Sequence, residues 1–177
     1  MSQVISLFLI LLVAAQAQPV QLAPSTATPP DVVDRMLSLA RVTPSDVVYD
    51  LGCGDGRIVI AAAQKFGARG VGIEIDPDLV SQARRDAERA GVADRVRFEA
   101  ADLFSAPLGD ATVVTLYLSP ELNARLRPRL LAELSPGARI VSHQFPMADW
   151  PPTQTVRLNI DGREHVLHLW VVPPRAP

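Results

Sequence analysis

The sequence predicts one α/β domain built on an open, largely parallel sheet, and three observations carry that prediction. Short β-branched runs alternate with longer stretches of helical period, the pattern of repeated strand–helix–strand units. The first run, Val47-Val48-Tyr49, collapses into Asp50-Leu51-Gly52-Cys53-Gly54-Asp55-Gly56-Arg57, an acid followed by alternating glycines. Acids recur where the next two strands end, at Glu74 and at Asp102. Gly52, Gly54 and Gly56 permit positive φ and place no Cβ between backbone and ligand. The loop therefore reads as a small-molecule cradle at a helix N-terminus.

Composition narrows the classes. A chain of 177 residues, 48% hydrophobic, holds one sizeable core and leaves no room for a second catalytic domain. Lys and Arg number 17 against 19 Asp and Glu, a net charge of -2 that gives no global field for nucleic acid. Arg125, Arg127 and Arg129 form the densest basic run, either a solvated helix face or a contact for an anionic partner such as RNA or lipid head groups; no interleaving of aromatic and basic residues supports nucleic-acid binding. The lone Cys53 has no disulfide partner, and no Cys/His cluster has metal-ligand spacing.

Taken in order, Val4 to Ala15 is an apolar run shorter than the ~20 residues of a bilayer span, followed by the small-x-small pattern Ala15-Gln16-Ala17. Residues 1–17 read as a signal peptide cleaved near Ala17, implying export to the periplasm or medium. A hydrophobic anchor with the domain in the cytoplasm is the alternative, because Met1-Ser2-Gln3 carries no Lys or Arg. Residues 18–27 read as a linker and 28–177 as the domain. Thr28 caps a helix with Pro30 in its first turn and Val32, Val33, Met36, Leu37 and Ala40 on one face. After the glycine loop come a helix from Arg57 to Phe66, a strand from Arg69 to Ile75, and a helix from Asp76-Pro77 to about Ala90 with Arg84 and Glu88 paired on its exposed side. Val96 to Ala101 is the third strand. Ala111 to Leu118 is apolar enough for a central one. Ser119 caps the next helical region, which Pro128 is expected to split in two. Ala138 to Phe145 is the fifth strand, and Asp161-Gly162 joins two more, Thr155 to Ile160 and Glu164 to Val172.

The loop is D-x-G-x-G-x-G rather than the dinucleotide fingerprint G-x-G-x-x-G. With Glu74 and Asp102 at the following strand ends, it resembles the class I, seven-stranded S-adenosyl-L-methionine-dependent methyltransferases. The resemblance implies a single-domain Rossmann-like sheet of order 3-2-1-4-5-7-6 with strand 7 antiparallel, and S-adenosyl-L-methionine as cofactor. Glu74 would then accept from the ribose hydroxyls and Asp102 from the adenine amine. Leu103 would pack on the adenine face, and Asp50 with the Gly52, Cys53, Gly54 and Gly56 backbone would hold the methionine end. That cofactor is a cytosolic metabolite, a point in favour of the anchored alternative.

Further segments, Pro30 to Leu37, Leu116-Tyr117-Leu118-Ser119-Pro120-Glu121, Arg139 to Phe145 and Asp149-Trp150-Pro151, resemble the small lysine methyltransferases of the ATP synthase c-subunit and adenine-nucleotide-translocase type and their bacterial relatives. Those relatives carry a Tyr-x-Pro-Thr-Pro-like segment; Pro24 to Pro29 here lacks its tyrosine. The resemblance implies methyl transfer to an amine, with a protein lysine as the expected acceptor. A small-molecule acceptor, an NAD-dependent oxidoreductase and a SAM-binding module without turnover are the alternatives. Ligands in such sheets lie at the carboxyl ends of the strands, which gathers Gly52, Glu74, Asp102, Tyr117 and His143 on one rim. Tyr117 is the candidate to line the acceptor position, and His143 the candidate to take a proton or a hydrogen-bonded strand histidine. Phe145 and Trp150 are either pocket walls or core.

Overall fold

The computed structural model describes residues 27–175, so the proposed signal or anchor at 1–17 and nearly all of the linker lie outside the described residues. Eleven elements follow in order: α1 (Pro30–Leu39), β1 (Val47–Leu51), α2 (Arg57–Phe66), β2 (Arg69–Glu74), α3 (Pro77–Arg89), β3 (Val96–Ala100), β4 (Val113–Leu116), α4 (Pro120–Glu133), β5 (Arg139–His143), β6 (Gln154–Ile160) and β7 (Arg163–Val171). They form one sheet of order β3-β2-β1-β4-β5-β7-β6, with β7 antiparallel to both neighbours and the remaining pairs parallel. Among the described residues no helix is long and apolar enough to cross a membrane.

The strands alternate their side chains between two faces, and the faces carry different cores. Val48, Val113, Val141 and Leu167 pack with the apolar stripe of α1, all five of whose sequence-expected positions are buried. Leu51, Val114, Leu116, Ile140 and Trp170 pack on the other face with Leu126 and Leu130 of α4. From β1 the chain winds outward to β3, then returns to β4 on the other side of β1. The gap between β1 and β4 is thus where the winding direction reverses.

At the opposite, amino-terminal end of the strands the sheet is latched. Asp46 accepts from the Thr43 amide at 2.8 Å and from the Thr112 hydroxyl at 2.7 Å, and it pairs with Arg139, which also donates to the Ala40 carbonyl. Burial pushes the Asp46 carboxyl up, but these donors outweigh it and hold its pKa below the ordinary value.

Three expectations are corrected. Strands β4 and β5 are shorter at their ends than the apolar runs suggest, so Leu118 and Phe145 lie beyond them. Thr28 caps nothing: the N-cap of α1 is Pro29 without a side-chain bond, and the Thr28 hydroxyl turns inward. Pro128 does not split its helix, since α4 runs unbroken through it. Leu126 and Leu130 are fully buried on either side of the proline, and Arg129 donates to the carbonyls of Leu103 and Ala106, so tertiary contacts carry the turn that lacks an amide donor. In addition, Arg84 donates to the Phe98 carbonyl at 2.6 Å, which takes it away from Glu88.

Because Pro128 is exposed and α4 is helical around it, Pro128→Ala restores a donor toward Ala124 without opening a cavity. Its stability should rise by about 1–3 kcal/mol, read as a higher urea midpoint. A lower midpoint would mean that the helix is broken there in solution.

Candidate active site

The glycine loop is held by the end of β2. The Ile73 carbonyl accepts from the amides of both Gly52 (2.8 Å) and Cys53 (3.0 Å), and the Glu74 carboxylate takes the Gly54 amide at 3.0 Å on one oxygen. Its other oxygen accepts from the amides of Ile75 (2.8 Å) and Asp76 (3.1 Å). All three loop glycines have positive φ, but for different reasons. A Cβ on Gly52 would meet Leu118 at 2.8 Å, and one on Gly56 would meet the Phe98 ring at 2.5 Å; these two let the loop pack. Only at Gly54 does the missing side chain look into open space, with nothing within 4 Å. Gly54 is therefore the loop glycine with room for a ligand against its backbone. The Cys53 side chain is buried among Val59, Ala83 and Phe98, and burial pushes its thiol far above the usual range. Its side chain is packed into the core, so only its backbone is left to face the loop.

Asp50 is buried at the β1–β4 gap, and the Thr115 hydroxyl donates to it at 2.7 Å. Burial, with Asp55 and Glu74 nearby, pushes its carboxyl up to about 7 despite that bond. A cation brought close to it would draw the proton off. Past β3, Asp102 is exposed and accepts from the Phe104 amide at 2.9 Å, while Leu103 lies half-buried, 3.9 Å from where a Gly52 Cβ would stand.

On the other side of the gap, Tyr117 lies half-buried just beyond β4. Its ring rests on the His143 ring with centroids 4.1 Å apart and stacks with Phe145 at 6.4 Å. His143 is fully buried, and both its nitrogens are engaged: Nδ1 with the Thr28 hydroxyl at 3.3 Å and Nε2 with His165 Nδ1 at 2.9 Å. Burial, reinforced by His165, holds its pKa down to about 4. The expectation that it takes a proton from a substrate does not fit these surroundings; it is the floor under Tyr117. Trp150 packs on Trp170 with centroids 6.0 Å apart, against the α4-side core, so Phe145 rather than Trp150 joins the tyrosine. The sequence marked Thr28 only as a helix cap and did not mark His165 at all.

Comparison with known proteins decides the family. The model of the ANTKMT methyltransferase domain matches residues 50–154. The chain belongs to that family. A protein-lysine N-methyltransferase of Saccharolobus islandicus is 40% identical over 150 residues, covering 84% of this chain and 93% of that protein. The adenine nucleotide translocase lysine N-methyltransferase of Mus musculus is 43% identical over 124 residues, 70% of this chain, which spans 54% of the mouse protein. A crystal structure described as an RNA methyltransferase from Salinibacter ruber, in complex with S-adenosyl-L-homocysteine, superposes with TM-score 0.80 at 56% identity, covering 85% of this chain and 96% of that one.

This member of the family is thus an S-adenosylmethionine-dependent methyltransferase, and its residues fit that cofactor. The sulfonium cofactor supplies an electrophilic methyl group and carries a cationic ammonium. The chain supplies an open face at Gly54, a carboxylate at Glu74 and a buried carboxyl at Asp50 that a neighbouring cation would ionise.

The division of labour among the glycines is testable. Gly54→Ala should fold with a cost of about 1 kcal/mol for its positive φ, yet lose most S-adenosylmethionine affinity by calorimetry, whereas Gly56→Ala should lower the unfolding midpoint itself. A Gly54→Ala protein that binds as wild type would move the cofactor off the loop.

Asp50 also gives a pH signature. Its folded pKa is raised above the unfolded value, so its contribution to stability is present below about pH 4 and is lost as pH rises through about 7. Asp50→Asn keeps the acceptor for Thr115 and removes that loss. The stability difference, variant minus wild type, should grow by up to about 4 kcal/mol from about pH 4 to about pH 8 in urea titrations without cofactor. A pH-independent difference would mean that Asp50 titrates normally.

Proposed function

We propose that this enzyme transfers the methyl group of S-adenosylmethionine to the side-chain amine of a protein lysine. What supports the reading is the half-open aromatic shelf at the end of β4, where Tyr117 lies on His143 and beside Phe145 across the β1–β4 gap from the glycine loop. An aromatic face attracts an incoming ammonium, and the tyrosine hydroxyl can orient the amine that remains after proton loss. Curated relatives named lysine methyltransferases support the same acceptor. On the cofactor side, Glu74 would accept from the ribose hydroxyls and Asp102 from the adenine amine. Leu103 would pack on adenine, and Asp50 with the loop backbone would hold the methionine end.

Transfer needs the amine lone pair in line behind the methyl carbon, and positioning supplies most of the rate. A lysine with a reference pKa near 10.4 must first lose its proton. With both His143 nitrogens engaged, desolvation against Tyr117 and Phe145 lowers the amine pKa, and the proton leaves to water at the open rim.

The Salinibacter ruber structure, described as an RNA methyltransferase, raises RNA as a second acceptor. The basic run that would meet phosphates is committed within the chain: Arg125 lies over the Phe104 ring at 3.8 Å, Arg127 pairs with Asp149, and Arg129 pairs with Glu133 at 2.6 Å. This favours protein.

Tritiated methyl groups supplied from S-adenosylmethionine to a membrane extract of the host should enter material that protease destroys and ribonuclease spares, and acid hydrolysis should yield methyl-lysine. Tyr117→Ala should keep cofactor affinity and lower incorporation by about tenfold or more. Label lost to ribonuclease would establish the RNA reading instead. Full incorporation by Tyr117→Ala would remove the shelf from the acceptor site.

A further inference from the structure

The segment that enters α1 is tied at one residue to both halves of the site. Arg57, the first residue of α2, directs one edge of its guanidinium at Asp55 inside the glycine loop, with Nε–Oδ1 at 2.9 Å and Nη2–Oδ2 at 2.5 Å. Its remaining nitrogen, Nη1, donates to the main-chain carbonyl of Thr28 at 3.0 Å. The hydroxyl of the same Thr28, only 4% exposed, meets Nδ1 of His143 at 3.3 Å, and the Tyr117 ring lies on His143. A continuous path of polar and ring contacts therefore runs from the cofactor loop through Arg57 and Thr28 to the aromatic shelf. Capping does not account for Thr28, because α1 starts at Pro30 with no side-chain cap.

We propose that Thr28 is a positioning residue for methyl transfer: its carbonyl fixes it to the cofactor loop, and its hydroxyl sets the tautomer and tilt of His143, hence the orientation of Tyr117. The inference rests on the reading of Tyr117 as the acceptor residue. A buried neutral imidazole with one donor and one acceptor nitrogen has two tautomers, and the neighbours of its nitrogens choose between them. His165 alone does not choose, since its own Nδ1 can give or take the proton that His143 Nε2 shares. Thr28 breaks the tie because, among the described residues, Nδ1 of His143 is the only partner of its buried hydroxyl, whose own proton is satisfied only by donating to Nδ1; that leaves the ring proton on Nε2, directed at His165. Without the hydroxyl, Nδ1 loses its partner in a fully buried site, and the ring under Tyr117 loses a fixed orientation.

Thr28→Val replaces the hydroxyl with a methyl group of similar size, and Thr28→Ser restores it. In the full-length protein, Thr28→Val should bind S-adenosylmethionine within about twofold of wild type while its rate of methyl incorporation into the host membrane extract, at saturating cofactor, falls by about tenfold, the rate equivalent of one buried hydrogen bond. Thr28→Ser should recover most of that rate. In nitrogen-15 spectra the His143 ring should show one tautomer in the wild type and in Thr28→Ser, and a mixture in Thr28→Val. An unchanged His143 tautomer in Thr28→Val, or a wild-type rate in that variant, overturns the proposal. So does a loss of rate that Thr28→Ser fails to recover. Tyr117→Ala, run in parallel, separates the two readings: if it alone loses activity, the shelf stands and the tie through Thr28 falls, and if it loses none, the acceptor assignment itself falls.

Discussion

The site depends on one carbonyl. Ile73 sits at the end of β2, and its oxygen accepts from two successive amides of the neighbouring loop, Gly52 and Cys53. That shared acceptor turns the chain out of β1 and brings Gly54 over Glu74, the next residue along β2. Gly56 then takes φ 77° and starts α2 with Arg57 aimed back at Asp55. The cradle, the acid beneath it and the arginine beside it thus follow from how β1 and β2 finish against each other. Such a turn tolerates no side chain at Gly52 or Gly56, where Leu118 and Phe98 already fill the space.

Most of this frame was legible because it is local. Strand runs, capping signals and the order of acids at strand ends are properties of adjacent residues, and the sheet order came with the family resemblance that they support. What was not legible is what depends on distant residues. Thr28 looked like a cap because a threonine two positions before a helical proline usually is one; its partner, His143, lies 115 positions away. Pro128 looked like a break because a backbone rule is local, whereas its compensation through Arg129 and two buried leucines is tertiary. The glycines looked equivalent, and only the placement of Phe98 and Leu118 separates packing from access.

The electrostatics of the rim arise from the same economy of partners. Among the described residues Asp50 is buried with a hydroxyl donor and no cation, and two further carboxylates lie near it. A site so arranged is poorly suited to an anion and is relieved by a cationic ligand, as the sulfonium cofactor is. The arginines of α4, by contrast, are drawn into contacts with Phe104, Asp149, Glu133 and two main-chain carbonyls. Counting charges along the sequence cannot separate these two cases, because what matters is which charges have already been answered inside the protein.

The latch of Asp46, Thr43, Thr112 and Arg139 lies at the amino ends of the strands, across the full height of the sheet from Gly54, Glu74 and Tyr117. The latch and the site thereby occupy opposite ends of the same strands. A lineage adapting to heat can rework the latch edge while leaving turnover alone, and one acquiring a new acceptor can alter the residues after β4 and β5 without loosening the sheet. The two traits are free to evolve at separate tempos.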